Sequence, residues 1–339
     1  MPFLTDALPG TGGALRASDD DFAVDEVPAY GAAGHGEHVF VRIEKRGLTS
    51  PEAAERLARA VGCAPRDVGI AGMKDRRAVT RQWLSLPPPV TPETALAATL
   101  DGVTVLEAVR HPHKLRTGHL RANRFRLRVR GTVADAAARA RAILGALAAP
   151  PGAPNWYGEQ RFGRDGDNAA RGRAILAGER IRDRRMARLM ISALQAELFN
   201  SWLAARIADG LYARAIAGDV MHKASGGQFV CEDPAQDGAR VAAGEIVPTG
   251  PMFGERMRRP PDGSAAAARE LAILAAAGLA PGAFAAVRAI AEGTRRDAAI
   301  AIADVDVTAI APDAIEVSFT LPSGAYATTV MREVMKESG

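Results

Sequence analysis

The sequence predicts an α+β protein in which one domain is interrupted by another. Segments near both ends of the chain alternate apolar and polar residues as strands do, whereas the stretch from about residue 150 to about residue 293 is alanine-rich and largely helical in pattern. The 339 residues are enough for about two domains. We therefore predict a β-containing core built from both ends of the chain, with a helical insertion between them.

Strand and helix patterns follow one another in the first third of the chain. The segment HVFVRIEKRG alternates like a strand. The segment SPEAAERLARAVG predicts a helix with Ser50 as the N-cap, Pro51 at the first helical position and an end at Gly62. A short apolar strand, DVGIAG, is expected next, and it leads into a turn that carries Asp75.

A second strand, NRFRLRVRG, has two different faces. Phe125 lies on its apolar face and Asn123 falls on the same face at the strand's start, while four arginines share the other face. The strand belongs to a segment, residues 110–130, that contains eight lysines and arginines and no acidic residue. Such a segment is typical of a phosphate-binding surface, although a solvated strand face is the alternative.

The rest of the chain continues this alternation of element types. We expect an alanine-rich helix over residues 133–148, a boundary at APPGAPN, and a long helix in MARLMISALQAELFNSWLAARIADG that ends at Gly210. Strand character returns in IEVSFTLPSG, and AYATTVMREVMKE predicts a short closing helix. The boundary and the final strand bracket the predicted insertion.

Composition favours a globular protein of the reducing cytoplasm. The two cysteines, Cys63 and Cys231, cannot form a disulfide framework, and no cysteine or histidine cluster has zinc spacing. The first residues lack the pattern of a signal peptide, and no apolar run approaches the roughly 18 residues of a membrane span. We expect neither a structural metal nor membrane insertion. The net charge of +4 hints at a polyanionic partner.

The segment AGMKDRRAVTRQ presents one carboxylate, Asp75, among cations. Lys74, Arg76 and Arg77 would favour the ionised carboxylate, which suits a nucleophile better than a general acid. The same cations could bind phosphate, but the spacing of a P-loop is absent. Taken alone, the segment could equally be a surface turn.

This segment closely resembles the G-x-K-D-x-x-A-x-T-x-Q signature of the TruD family of tRNA pseudouridine synthases. Four more stretches resemble the family in the same order: DDDFAVDEVPAYGAAGHGEHVFVRIEKRG, HKLRTGHLRANRFRLRV, PNWYGEQRFG and VSFTLPSGAYATTVMRE. The resemblance extends from about residue 16 to about residue 333. Five long matches in order make coincidence very improbable.

The resemblance implies a fold and an activity. The fold would be a pseudouridine synthase core with a mixed, mainly antiparallel sheet over residues 1–149 and 294–339, interrupted by a largely helical α+β insertion (TRUD) domain over residues 150–293. The implied activity is isomerisation of a uridine of tRNA, uridine 13 of the D arm, to pseudouridine. No metal or organic cofactor is implied, the partner is tRNA, and neither DNA, a membrane nor an obligate protein partner is expected.

The resemblance also implies roles for individual residues. Asp75 sits where the family's catalytic aspartate sits. Four residues fall on positions implied to contact the target base: Phe22, Asn123, Phe125 and Phe319. An aromatic ring and an amide on one strand face suit the stacking and edge recognition of uracil, although core packing is the alternative for the rings. Arg16, where we expect lysine in relatives, is the candidate partner of Asp75.

Several alternatives remain open from the sequence. Asp75 could attack C6 of uracil, attack C1′ of the ribose, or assist loss of the C2′ proton. A catalytically inactive RNA-binding protein would keep the basic segment and the aromatic residues. A glycoside hydrolase would need a second carboxylate, for which Glu26, Glu37 and Glu159 are candidates.

Overall fold

The computed structural model describes residues 1–336. Its strands, in chain order, are β1 (Ala14–Leu15), β2 (Phe22–Pro28), β3 (His38–Arg46), β4 (Gly69–Ile70), β5 (Val79–Leu86), β6 (Val103–His111), β7 (Leu120–Arg130), β8 (Ala153–Pro154), β9 (Val220–Lys223), β10 (Gln228–Val230), β11 (Ile246–Met252), β12 (Thr294–Asp297), β13 (Ala299–Ile300), β14 (Ala303–Ala311) and β15 (Ala314–Pro322). Its helices are α1 (Ser50–Ala60), α2 (Pro92–Leu96), α3 (Ala136–Ala148), α4 (Asn168–Leu176), α5 (Arg184–Ala208), α6 (Pro234–Ala242), α7 (Ala265–Ala276) and α8 (Ala327–Met335).

The chain divides into two compact units. One, called here the sheet unit, comprises residues 9–144, 302–324 and 334–336. The other, the helical unit, comprises residues 1–8, 145–301 and 325–333. Each unit therefore draws on separate parts of the chain. The family-domain boundaries predicted at about residues 150 and 293 stay a prediction.

The sheet unit is built on one large sheet. Its strand order is β14-β15-β7-β2-β5-β3-β6, with β1 paired to β7 and β4 paired to β5. The central β2–β5 pair is parallel, whereas β7 runs antiparallel to both β2 and β15. The predicted α+β architecture with a mixed, mainly antiparallel sheet is confirmed. The strands predicted in HVFVRIEKRG, NRFRLRVRG and IEVSFTLPSG are β3, β7 and β15.

Helix α1 covers one face of this sheet. Its buried Leu57 packs with Val41 and Ile43 of β3 and with Leu84 of β5. Removing such side chains from water supplies most of the stability of a helix of this length. The apolar side of β3 therefore fixes where the helix lies, and with it the segment that precedes the helix.

The predicted N-cap of α1 was wrong by one residue. The N-cap is Thr49, whose hydroxyl accepts a hydrogen bond from the Glu52 N–H while the Glu52 carboxylate accepts one from the Thr49 N–H. This reciprocal capping box requires a glutamate three residues after the cap, a spacing that Thr49 has and Ser50 lacks. The Ser50 hydroxyl makes tertiary contacts instead.

The helical unit packs around α5, the long helix predicted from its apolar periodicity. Buried Phe199, Trp202 and Leu203 of α5 form a core with Trp156 and Met252. The unit also contains an antiparallel sheet in the order β10-β9-β11-β12. Among residues 1–336, none of the helices combines the length and the apolar character of a membrane span.

A buried ion pair joins α5 to the start of β9. Arg206 is almost completely buried, and its guanidinium donates to Asp219 at 2.6 and 3.0 Å. The second carboxylate oxygen of Asp219 also accepts from the Ile216 N–H at 3.0 Å. A buried arginine needs such a partner because an unpaired charge in a protein interior is strongly unfavourable.

We predict that Asp219→Ala lowers the free energy of unfolding by about 3–5 kcal/mol, because it leaves Arg206 buried without its counter-charge. The matched control is Asp209→Ala, which removes the exposed partner of Arg269 in the same unit. Exposed pairs contribute about 0–1 kcal/mol, so this control should be nearly neutral. Urea denaturation of both variants measures the difference, and equal losses would contradict the assignment.

Candidate active site

Asp75 lies on the loop between β4 and β5, where both its side chain and its main chain are held in place. Its carboxylate forms an ion pair with the Arg16 guanidinium, so the pairing predicted from the sequence is confirmed. Its main-chain carbonyl accepts a hydrogen bond of 2.7 Å from Nζ of Lys45. The Asp75 side chain keeps 28% of its surface exposed. A carboxylate is thereby fixed in position and still reachable by a substrate.

Lys45, on β3, is the buried support of this loop. Its ammonium group has no exposed surface and donates to the carbonyls of Leu48, at 2.6 Å, and Asp75. Burial lowers the pKa of Lys45 to about 8; the negative charge of Asp75 opposes this shift, and the positive charge of Lys74 adds to it. Lys45 was not among the site residues predicted from the sequence. Lys45 shares the apolar face of an alternating strand with Val41 and Ile43, and this pattern could have identified it as a buried lysine.

The remaining residues of the Asp75 segment build the turn itself. The Lys74 N–H donates to the Ser50 hydroxyl at 2.9 Å, and that hydroxyl donates to Oε1 of Gln82 at 2.7 Å. A side chain at Gly72 would place its Cβ 3.0 Å from Leu120 and 3.3 Å from the Lys74 ammonium. Gly72 therefore lets the loop pass close to a buried charge where a larger residue would have to displace it.

Two of the cationic side chains adjacent to Asp75 in the sequence form ion pairs with other carboxylates. Lys74 forms a buried ion pair with Glu26 of β2, and the second oxygen of Glu26 accepts from the Trp83 N–H at 3.2 Å. Arg76 pairs with Glu52 at the start of α1. We expected these cations to act on Asp75 or on phosphate, but the structure pairs them within the protein. The Arg16 side chain contacts the Asp75 carboxylate directly.

Arg16 also contacts the aromatic residues of the sheet. Its guanidinium lies 4.0 Å from the centre of the Phe22 ring, a cation–π contact, and its backbone has a φ of +64°. That conformation is uncommon for a residue other than glycine. The ion pair with Asp75 and the stacking on Phe22 together determine the position of this side chain. Arg16 thus connects the carboxylate to the aromatic face.

The strand register places the predicted base-contacting residues on one sheet face. Across β7, Phe125 lies opposite Phe319 of β15 and Asn123 lies opposite Glu26 of β2. The Phe125 ring is 6.3 Å from that of Phe22, edge to face, and 5.7 Å from that of Phe319. All three rings are buried, and Phe319 has no exposed surface. The structure brings these residues together; whether they contact a base stays a prediction.

Asn123 carries an unsatisfied polar group at this face. Its side-chain oxygen is buried and has no hydrogen-bond partner within residues 1–336. Buried polar atoms in native proteins nearly always have a partner, so this oxygen is available to a donor from a ligand or a water molecule. Asn123 pairs in register with Glu26, the partner of Lys74. The amide is therefore part of the same surface as the Asp75 loop.

The arginines of β7 lie on the opposite face of the sheet. Successive side chains of a strand alternate in direction, so Arg124 and Arg126 point away from the face of Asn123 and Phe125. They line a cavity of about 390 Å³ together with Asp25, Arg81 and Ser318, and Val24 and Phe125 also contribute to its wall. Phosphate binding by these arginines stays a prediction, and it would occur across the sheet from the aromatic residues.

Comparison with known proteins decides the family. The sequence matches the family model described as tRNA pseudouridine synthase D (TruD) over residues 1–182 and 179–334. The chain belongs to the TruD family. Within the residues that the structure describes, no group of three or more histidine, cysteine, aspartate or glutamate side chains could hold a metal ion. The TruD resemblance predicted from the Asp75 segment and four further stretches is confirmed.

Relatives of similar length carry the TruD name. The tRNA pseudouridine synthase D of Anaeromyxobacter dehalogenans is 53% identical over 346 residues, which cover 99% of this chain and 96% of that protein. The tRNA pseudouridine synthase D of Thermus thermophilus is 44% identical over 340 residues, which cover 99% of this chain and 92% of that protein. A Methanosarcina mazei crystal structure described as TruD shares the fold, with a TM-score of 0.80 at 20% identity over 100% of this chain and 96% of that chain.

We predict a pH-dependent contribution of Lys45 to the stability of this TruD-family chain. Between about pH 8 and pH 10.5 the unfolded chain holds a proton on Lys45 that the folded chain has released. The free energy of unfolding therefore gains up to about 1.4 kcal/mol per pH unit from this residue as the pH rises through that range. A neutral amine keeps two N–H donors, so both carbonyl bonds survive the loss of the proton.

The measurement compares wild type with Lys45→Met, which has no titrating group. The stability of wild type relative to the variant should increase as urea denaturation is repeated from about pH 8 to about pH 10. Lys114→Met removes a lysine from the surface of the same unit and serves as the control. A wild-type advantage that stays constant across this range would contradict the prediction.

Proposed function

We propose that this protein isomerises a uridine of tRNA to pseudouridine and that Asp75 is its catalytic carboxylate. One observation carries the proposal: a partly exposed carboxylate is held by Arg16 and Lys45 beside an aromatic face that has an unsatisfied amide. The family membership supplies the reaction, and uridine 13 in the D arm is the position that the family implies.

The reaction requires accurate positioning of the uridine more than it requires additional chemical groups. The N1–C1′ bond breaks, uracil turns in the pocket, C5 bonds to C1′, the proton leaves C5 and N1 gains one. Bonds and protons balance, so neither an oxidant nor a co-reactant is needed. A fixed carboxylate and a water-poor pocket for the extruded base are suited to this sequence of steps. Attack at C6, attack at C1′ and assistance to loss of the C2′ proton all assign the role to Asp75.

The uracil would be bound by the residues around Asp75. The Asn123 amide can exchange hydrogen bonds with the edge of uracil, whose N3–H would supply the partner that the amide oxygen lacks. Phe125 would provide the apolar contact for the ring, and it is supported by Phe22 and by Phe319, which has no exposed surface. A base beside Asp75 would also meet the planar guanidinium of Arg16, which lies against Phe22.

The rival hydrolase requires a second catalytic carboxylate, and the site does not favour one. Glu26 lies near the Asp75 loop but is buried and paired with Lys74, and Glu52 pairs with Arg76 of the same loop. Glu159 belongs to the helical unit. An inactive RNA-binding protein would have no need for the fixed carboxylate.

We further propose that the protein acts on tRNA in the cytoplasm, without DNA, membrane or an obligate protein partner. We also propose that residues 150–293 form the family's insertion domain within the core of residues 1–149 and 294–339.

Incubation of the purified protein with unmodified tRNA tests the function directly. Pseudouridine is mapped by carbodiimide modification and primer extension, and a tRNA with cytidine in place of uridine 13 is the control substrate. Modification at that position in the first tRNA and its absence in the second is the expected result. Binding without modification would favour the inactive RNA-binding protein.

We predict that Asp75→Asn and Asp75→Ala abolish turnover and leave tRNA affinity within a few-fold of wild type, because the carboxylate performs chemistry and other residues hold the RNA. Asp101→Asn changes a fully exposed carboxylate of the same unit and should retain activity. Single-turnover kinetics and filter binding provide the two measurements. Pseudouridine formation at the normal rate by folded Asp75→Ala would disprove the assignment.

We predict that Phe125→Ala lowers kcat/KM for tRNA by roughly one to two orders of magnitude, because base–aromatic stacking is worth about 1–3 kcal/mol. Leu127→Ala is the matched control, since Leu127 is a buried neighbour on the same face of β7. Both variants should be less stable, so rates are divided by the folded fraction. If the two variants have equal kcat/KM per folded molecule, Phe125 acts only as a core residue.

A further inference from the structure

A second aromatic group lies outside the residues assigned to the target uridine. Tyr30 follows β2 and packs on His111, the last residue of β6, with ring centres 5.4 Å apart and nearly parallel planes. His111 stacks in turn on Phe40 of β3 at 4.0 Å. The Tyr30 hydroxyl and Nδ1 of His119 are 2.6 Å apart, within hydrogen-bonding distance. These four residues are called here the Tyr30 cluster.

The cluster holds one exposed aromatic ring, that of Tyr30, against buried aromatic side chains. Phe40 and His111 are buried, whereas Tyr30 keeps 39% of its surface exposed. Nδ1 of His111 accepts a hydrogen bond from the Ala33 N–H at 3.3 Å, and burial lowers the pKa of His111, so this imidazole is neutral and packs as an aromatic ring. A ring of this kind is held in place before any ligand arrives, which reduces the entropy lost on binding.

Hydrogen bonds connect the cluster to the loop that carries Asp75. The Gly118 N–H donates to the carbonyl of Ala71 at 2.8 Å, and the Ala29 N–H donates to the carbonyl of His119 at 3.3 Å. The next residue, Leu120, is the closest neighbour of the Cβ position of Gly72. The segment from Gly118 to Leu120 is thus bonded on one side to the Tyr30 segment and on the other to the Asp75 loop.

The segment around His119 carries exposed arginines. The Arg116 N–H donates to Nδ1 of His119 at 3.4 Å. Arg116 and Arg121, close to His119 in the chain, are exposed. Proteins bind unpaired nucleotides with exposed aromatic rings and arginines, since the ring stacks on the base and the cations meet the phosphates. Tyr30 supplies such a ring, and the segment of its partner His119 supplies exposed arginines.

We propose that Tyr30 stacks on the base of an unpaired nucleotide that flanks the target uridine. The proposal rests on the proposed function for the identity of the RNA and on the geometry of the Tyr30 cluster for the contact. Extrusion of a uridine leaves its neighbours without a stacking partner. A ring fixed beside the Asp75 loop would replace that partner and hold the RNA in register with the carboxylate. Tyr30 is therefore a positioning residue.

The first experiment measures base stacking by fluorescence and does not depend on turnover. Single tRNA variants carry the fluorescent base 2-aminopurine at the position immediately before or after the target uridine, and each is bound to Asp75→Asn protein, with or without a further change at Tyr30. We expect quenching of one of the two probes with Tyr30, loss of that quenching in Tyr30→Leu, and its retention in Tyr30→Phe, which keeps the ring and loses the bond to His119.

Kinetics with otherwise wild-type protein provide the second measurement. Tyr30→Leu should raise KM for tRNA by about 5- to 150-fold with little change in kcat, and Tyr30→Phe should restore most of the loss. Leu106→Ala, an exposed apolar side chain of β6 in the same unit, is the control and should change neither value. Melting temperatures identify any loss caused by unfolding alone.

The outcomes separate this proposal from the proposed function. Pseudouridine formation by wild type, together with quenching and KM that do not depend on Tyr30, would overturn the stacking role and leave the function intact. Quenching that depends on the Tyr30 ring in a protein whose wild type forms no pseudouridine would support the RNA contact and overturn the function. A lower melting temperature with unchanged KM per folded molecule would make the cluster a purely structural support, which also overturns the proposal.

Discussion

The arrangement around Asp75 depends on the buried ammonium group of Lys45. One nitrogen donates to the carbonyl of Leu48, just before the N-cap of α1, and to the carbonyl of Asp75. It therefore fixes the start of the helix and the candidate catalytic loop relative to each other. Burial of an ammonium group is costly unless it is hydrogen-bonded and close to opposite charge. The two carbonyls and the negative charges of Asp75 and Glu52 offset part of this cost, and the pKa of Lys45 is lowered to about 8 by the burial that remains uncompensated.

Much of the fold and part of the site follow from periodicity that is visible in the sequence. The alternation of NRFRLRVRG was enough to place Asn123 with Phe125 on one face and the arginines on the other, because strand side chains alternate whatever the tertiary structure. The helical periodicity of α5 was equally clear. The pairing of Arg16 with Asp75, which are 59 positions apart, came from the family resemblance and not from any local pattern.

Features that depend on contacts between distant segments were missed. Thr49 and Ser50 both have hydroxyls that can cap a helix, and the choice is set by Glu52 on one side and by the contacts of Ser50 with Lys74 and Gln82 on the other. The cations beside Asp75 were similarly misjudged, because a sequence shows their number but not the carboxylates that other segments supply.

The buried pair of Glu26 and Lys74 restricts how this protein can change over evolutionary time. The two residues are 48 positions apart in the chain, yet together they form one neutral group in the interior. Loss of either alone leaves the other charge uncompensated, whereas exchange of both for apolar residues of similar volume is often tolerated. Lineages that keep one of these residues are therefore expected to keep the other. A lineage that departs from both must acquire the two changes close together in time, because the intermediate is the unfit form.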